Sequence, residues 1–130
     1  MSPRIAVIDD EPVFLAMLHE LLREEDYEPA TFPDGMAGYE RVRAFAPHAI
    51  VLDIHMERPD VGWEMLGRFR RDPALRATPV IVCSAVSDAL EECADSFRGN
   101  GYAMLPKPFD VDDLLTLLTH VTSQASVLSV

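Results

Sequence analysis

The chain predicts an α/β fold: a doubly wound, five-stranded parallel sheet with helices on both faces. Three observations predict it. Apolar strand-like runs alternate with helical patterns along the whole sequence. The runs are nearly continuous rather than alternating, which is what strands buried on both faces require. The length of 130 residues, 48% hydrophobic and 25% charged, suits one globular domain that buries its own core.

The first run is Ile5-Ala6-Val7-Ile8, and a helix follows over about Pro12 to Glu25. Phe14, Leu18, Leu21 and Leu22 repeat at helical spacing there. Pro12 suits the first helical turn, where its missing N–H costs nothing. A weaker strand lies at Glu28 to Phe32 and a weaker helix at Gly35–Phe45. The run Ala49-Ile50-Val51-Leu52 precedes a helix after Gly62, marked by Met65, Leu66 and Phe69. Met17, Met65 and Met104 read as core or edge filler, and Trp63 as a cover for the start of its helix. Val80-Ile81-Val82-Cys83 leads to a weak helical pattern at Ser87–Phe97, with Ser87 or Asp88 as its cap. Tyr102-Ala103-Met104-Leu105 is the last strand, and Leu114, Leu118 and Val121 mark the last helix. Asp110 stands at that helix's N-cap and Asp113 at its third position. Residues 1–122 form the domain, and Ser123 to Val130 read as a tail.

Net charge is −11, from 22 acidic and 11 basic residues. Such a chain repels phosphate backbones and anionic lipid heads, so neither nucleic acid nor membrane is expected as a direct partner. No apolar run approaches the roughly 20 residues of a membrane helix, and nothing resembles a signal peptide. A soluble, cytoplasmic protein is expected. Cys83 and Cys93 lack any zinc-ligand or CxxC pattern and read as free thiols. His19, His48, His55 and His120 are scattered singly.

The strand ends carry the chemistry. The first run stops at Asp9-Asp10, the third at Asp53 and the fourth at Ser84, while the fifth is followed by Pro106 and Lys107. In an open parallel sheet the carboxyl ends of the strands form the ligand-binding edge. One Asp after a strand commonly caps a helix; four strands delivering three carboxylates, a hydroxyl and an amine to one rim is a different matter. Carboxylates near 4 Å apart repel by about 4 kcal/mol per pair at an effective dielectric near 20. A divalent cation removes that penalty, and magnesium takes one or two carboxylates with phosphate oxygens. Lys107 is the only lysine among eleven basic residues. It offers a compact charge where a planar guanidinium would not fit. The flanking Pro106 and Pro108 stiffen its backbone and favour a cis Lys107–Pro108 bond.

These residues resemble the receiver domain of two-component response regulators. The resemblance runs from Arg4 to about Val121, through Ile8-Asp9-Asp10-Glu11-Pro12, Val51-Leu52-Asp53, Val82-Cys83-Ser84-Ala85 and Lys107-Pro108-Phe109. Each motif alone is weak; four in order are specific. The resemblance implies a flavodoxin-like fold with strand order 2-1-3-4-5. It implies that Asp53 accepts a phosphoryl group from a histidine kinase or phosphotransfer protein. Mg²⁺ would be held by Asp10 and Asp53, by Asp9 through its water shell, and by the backbone carbonyl of His55. Ser84 and Lys107 would contact the phosphoryl group. The output face would be the fifth strand with the fourth and fifth helices, and the protein would catalyse only its own phosphoryl transfer and autodephosphorylation.

Some features depart from that pattern. Met104 stands three before the lysine, where the family usually carries an aromatic residue, so the aromatic switch is expected to be weakened or replaced. Pro59 and Gly62 lie six and nine residues after Asp53, one residue or more later than usual. The last helix, over Asp110 to Thr122, has no Lys or Arg, so the charged dimer face of the winged-helix transcription factors is not supported. Three other readings compete. A haloacid-dehalogenase-type hydrolase needs a second aspartate two after the nucleophile, where His55 stands. A receiver-like scaffold would act without phosphorylation, which the complete acidic set disfavours. A flavodoxin-type flavin binder conflicts with acidic Asp9-Asp10-Glu11 where a flavin phosphate would sit. Beside the sharp roles stand plain ones: His55 as a solvated loop residue, Ser84 as a helix cap, and Glu11 as support for the first helical turn.

Overall fold

The structure, a computed structural model, describes residues 2–53, 61–84, 102–106 and 109–128. Its elements are β1 (Arg4–Ile8), α1 (Pro12–Glu24), β2 (Glu28–Phe32), a 3₁₀ turn (Gly35–Gly38) and α2 (Tyr39–Phe45). They continue with β3 (Ala49–Asp53), α3 (Val61–Arg71), β4 (Val80–Ser84), β5 (Ala103–Pro106) and a C-terminal helix (Val111–Leu128). The strands form one parallel sheet in the order β2-β1-β3-β4-β5, as expected.

The pleat of the strands divides the core in two. Ala6, Ile8, Ile50, Leu52, Val80 and Val82 face α2 and α3, where they meet Val42, Met65, Leu66 and Phe69. Ile5, Val7, Ala49, Val51, Ile81 and Cys83 face α1 and the C-terminal helix, meeting Leu15, Leu18, Leu22, Leu114 and Leu118. β3 is buried at every position, the property that its unbroken apolar run announced.

Several local features differ from the sequence expectation. In α1 the buried face is Leu15, Leu18 and Leu22, while Phe14 and Leu21 pack at its margin. Met17 is not core filler but 48% exposed, because it lies about a third of a turn around from Leu18. Met65 is fully buried, and Met104 and Trp63 pack against the core as partly buried residues. The single helix expected over Gly35–Phe45 divides into a 3₁₀ turn and α2. The division falls at Gly38, the last residue of the turn and the N-cap of α2, whose φ of −92° and ψ of 1° depart from the helical region. Asp110 does hold the N-cap place, its carbonyl accepting from the N–H groups of Asp113 and Leu114. The C-terminal helix runs on to Leu128 instead of stopping at Thr122. Thr122 to Leu128 contains neither Gly nor Pro, so nothing in the backbone chemistry ends it. The helical pattern at Ser87–Phe97 and its proposed caps lie outside the described residues, as do Cys93 and the Lys107–Pro108 bond.

Candidate functional site

The sheet itself assembles the acidic rim. β1 and β3 are neighbours with Ile8 opposite Leu52, so the next residues along, Asp9 and Asp53, leave the sheet side by side. Asp10 follows Asp9 as the chain turns into α1. The three carboxylates each bring an oxygen within 4.8 Å of the others. Asp9 is 1% exposed and Asp53 9%, while Asp10 is half-buried.

Asp9 is fixed by the backbone. Its N–H reaches the carbonyl of Phe32 at 3.4 Å, tying the end of β1 to β2. Its Oδ1 accepts the N–H of Glu11 at 3.0 Å. Glu11 supports α1 with its main chain alone: it occupies the N-cap position without a side-chain cap bond, and its carbonyl accepts from Leu15 N–H at 3.1 Å. Pro12 occupies the first turn as expected.

On the other side of Asp53, register pairs it with Cys83, so Ser84 stands one residue further toward the rim. Ser84 in turn is opposite Pro106, the residue before Lys107. The Ser84 side chain, His55 and Lys107 lie outside the described residues. The structure therefore unites Asp9, Asp10 and Asp53 and places the backbone of Ser84 at the same edge. Cys83, the register partner of Asp53 on β4, is fully buried.

Hard carboxylate oxygens in a partly buried cluster suit a hard divalent cation with retained waters. At these separations their mutual repulsion is about 3 to 4 kcal/mol per pair at an effective dielectric of 20. Close to the rim, Phe14 of α1 meets Phe109 edge-on, with ring centroids 6.0 Å apart. On the outer side of α1, Val13 is 76% exposed and Met17 48%. This apolar strip escaped the sequence reading, because both residues look like core until the phase of α1 is known. Tyr102 is buried in the core, and burial raises its phenol above the ordinary range. No helix among the described residues is long and apolar enough to cross a membrane.

Comparison with known proteins agrees with this architecture. The family description "Response regulator receiver domain" matches residues 5–119. The probable transcriptional regulatory protein TcrX of Mycobacterium tuberculosis is 30% identical over 128 residues, covering 97% of this chain and 52% of TcrX. The chain spans only part of the curated transcriptional regulators it matches: 46% of one, 52% of another and 24% of a third. Among solved structures, the N-terminal domain of a response regulator receiver protein from Methanoculleus marisnigri is 32% identical with a TM-score of 0.71, covering 92% of this chain and 95% of that one. The receiver domain of sensor histidine kinase PA1611 from Pseudomonas aeruginosa, with a magnesium ion in its active-site cleft, has a TM-score of 0.78 at 22% identity. That match covers 95% of this chain and 99% of that one and speaks for the fold. By its motifs, its strand order and its match over residues 5–119, the chain belongs to the response regulator receiver domain family.

Proposed function

We propose that this receiver domain is a phosphorylation-switched signalling module. Asp53 takes a phosphoryl group from a phosphohistidine on a sensor histidine kinase or phosphotransfer protein. One observation carries the reading: Asp9, Asp10 and Asp53 converge within 4.8 Å at the carboxyl edge of the sheet. The donor set fits Mg²⁺, with Asp9, Asp10, Asp53 and the backbone carbonyl of His55 as its holders. When bound, magnesium offsets the charge of the carboxylates and of the phosphoryl oxygens.

The chain's own groups do the rest. A carboxylate oxygen of Asp53 attacks phosphorus as the P–N bond to the donor imidazole breaks, and the leaving nitrogen keeps the electron pair. The product is an acyl phosphate on Asp53. Asp9, anchored by Phe32 and Glu11, keeps the rim in shape. Ser84 and Lys107 receive the phosphoryl oxygens. The strand register supports this, since it sets the Ser84 backbone beside Pro106 next to the lysine. The donor docks on the exposed Val13–Met17 strip of α1, adjacent to the rim. Output passes through the face of β5 and the C-terminal helix, together with the helix expected at Ser87–Phe97. The module acts on no external substrate, works in the cytoplasm, and with a charge of −11 meets neither nucleic acid nor membrane directly.

Incubation with acetyl phosphate, with and without magnesium, tests the reading by intact mass. A phosphoryl adduct that needs magnesium and is absent from Asp53→Asn is expected. No adduct together with no magnesium affinity would instead make the rim a docking surface, and the protein a scaffold.

A further inference from the structure

The opposite end of the sheet carries a second polar cleft, of about 570 Å³. It lies where α1 ends and β1 and β2 begin, and it is lined by Ser2, Arg4, His19, Arg23, Tyr27 and Glu28 among others. Its volume lies within the roughly 300–1,000 Å³ range of small-molecule sites. His19 and Arg23 are four residues apart on α1, so they stand one turn apart on the same helix face.

Acidic residues outnumber basic ones 22 to 11, and Glu20, Glu24, Glu25 and Glu28 are all near in sequence. Even so, among the described residues neither the His19 ring nor the Arg23 guanidinium has an ion-pair or hydrogen-bond partner. By contrast, Arg41, Arg43 and Arg68 are paired with Asp34, Asp72 and Glu40. Arg4 also lines the cleft, but its guanidinium is turned to the end of α2. Its Nε donates to the carbonyls of Phe45 and Ala46 at 3.0 and 2.9 Å, and its Nη2 donates to Ala46 at 2.8 Å.

We propose that this cleft binds a small phosphate monoester. Arginine and histidine N–H groups suit phosphate oxygens, and charge-assisted bonds of this kind are the stronger ones. The hydroxyls of Ser2 and Tyr27 are further donors. Glu28 sets the polarity of the ligand: its carboxylate accepts from a hydroxyl on the organic part, which keeps the phosphate at the His19–Arg23 side. The site is separate from the phosphoryl rim, since the strands run from one to the other, and it stands whether or not Asp53 is phosphorylated.

The test is a titration of the whole chain with glycerol phosphate, without magnesium and at constant ionic strength, followed by amide NMR. Saturable shifts are expected at His19, Arg23 and Tyr27, with at least tenfold weaker binding in His19→Gln/Arg23→Gln. That double variant should keep the wild-type spectrum elsewhere and the wild-type yield of acetyl-phosphate adduct. Shifts confined to Asp9, Asp10 and Asp53, or binding that the double variant leaves intact, would overturn the proposal without touching the receiver reading. The absence of any saturable shift would overturn it equally.

Discussion

Tyr39 is 1% exposed, and its hydroxyl donates to Asp72 at 2.9 Å. Its ring stacks on Phe69 at 5.4 Å while the Arg68 guanidinium lies 4.0 Å from the ring centroid on the α2–α3 side. Burial first, and the Asp72 bond second, push its phenol from 10.0 up to about 12. A raised pKa favours the neutral folded form, so this contribution is complete below pH 10 and is lost as pH rises through 12. Tyr39→Phe should cost about 1 kcal/mol at neutral pH and flatten the alkaline loss of stability. Urea denaturation at several pH values checks both. Asp72 moves the other way: the Ala74 N–H on its carboxylate, then Tyr39 and Arg43, hold it below the ordinary range. Nothing in the linear pattern predicts this group, because Tyr39 and Asp72 are 33 residues apart. The acidic cluster of Asp9, Asp10 and Asp53 was legible at the strand ends, since Asp9-Asp10 and Asp53 each close an apolar run.

Among the elements, α1 serves two surfaces at once. Leu18 is fully buried between the helix and the sheet, and Leu18→Ala should destabilise by about 2 to 5 kcal/mol in a denaturation curve. Met17, one residue away, faces outward. Met17→Glu should leave stability within about 0.5 kcal/mol while slowing phosphoryl transfer from a kinase and not from acetyl phosphate. Equal slowing with both donors would remove the docking role. α2 ends on Ala46, a non-glycine residue in the left-handed region at φ 52°, whose carbonyl is held by Arg4. Ala46→Gly relieves that conformation and should raise stability by about 0.5 to 1 kcal/mol, read as a higher urea midpoint. α1 was plain from apolar spacing, while the pattern that became α2 was weaker. Their phase was not plain: periodicity says that a stripe is apolar, whereas the sheet decides which residue of the stripe is innermost.

For the whole molecule, the two ends of the sheet differ in chemistry. One gathers Asp9, Asp10 and Asp53, and the other holds Arg4, His19, Arg23 and His48. At that second end the His48 N–H donates to the Arg4 carbonyl at 2.7 Å, and the Arg4 N–H donates to His48 Nδ1 at 2.8 Å, closing the β1–β3 pair. Magnesium binding at the acidic end should stabilise the entire fold, since the three carboxylates approach only when β1 and β3 are paired. At a hundred times its dissociation constant the ion adds about 2.7 kcal/mol. A scanning melt should show the rise with magnesium, its reversal by a chelator, and its loss in Asp10→Asn.

The sequence by itself determined the parallel sheet, its order of elements and the acidic residues of the rim. Unbroken apolar runs ending in Asp carry that information locally, in the residues themselves. Only the tertiary structure decided the Tyr39–Asp72 bond, the outward turn of Met17, and the cleft between α1 and β2. Each of those depends on strand register and helix rotation. Both are set by packing between segments distant in the chain, which no local pattern records.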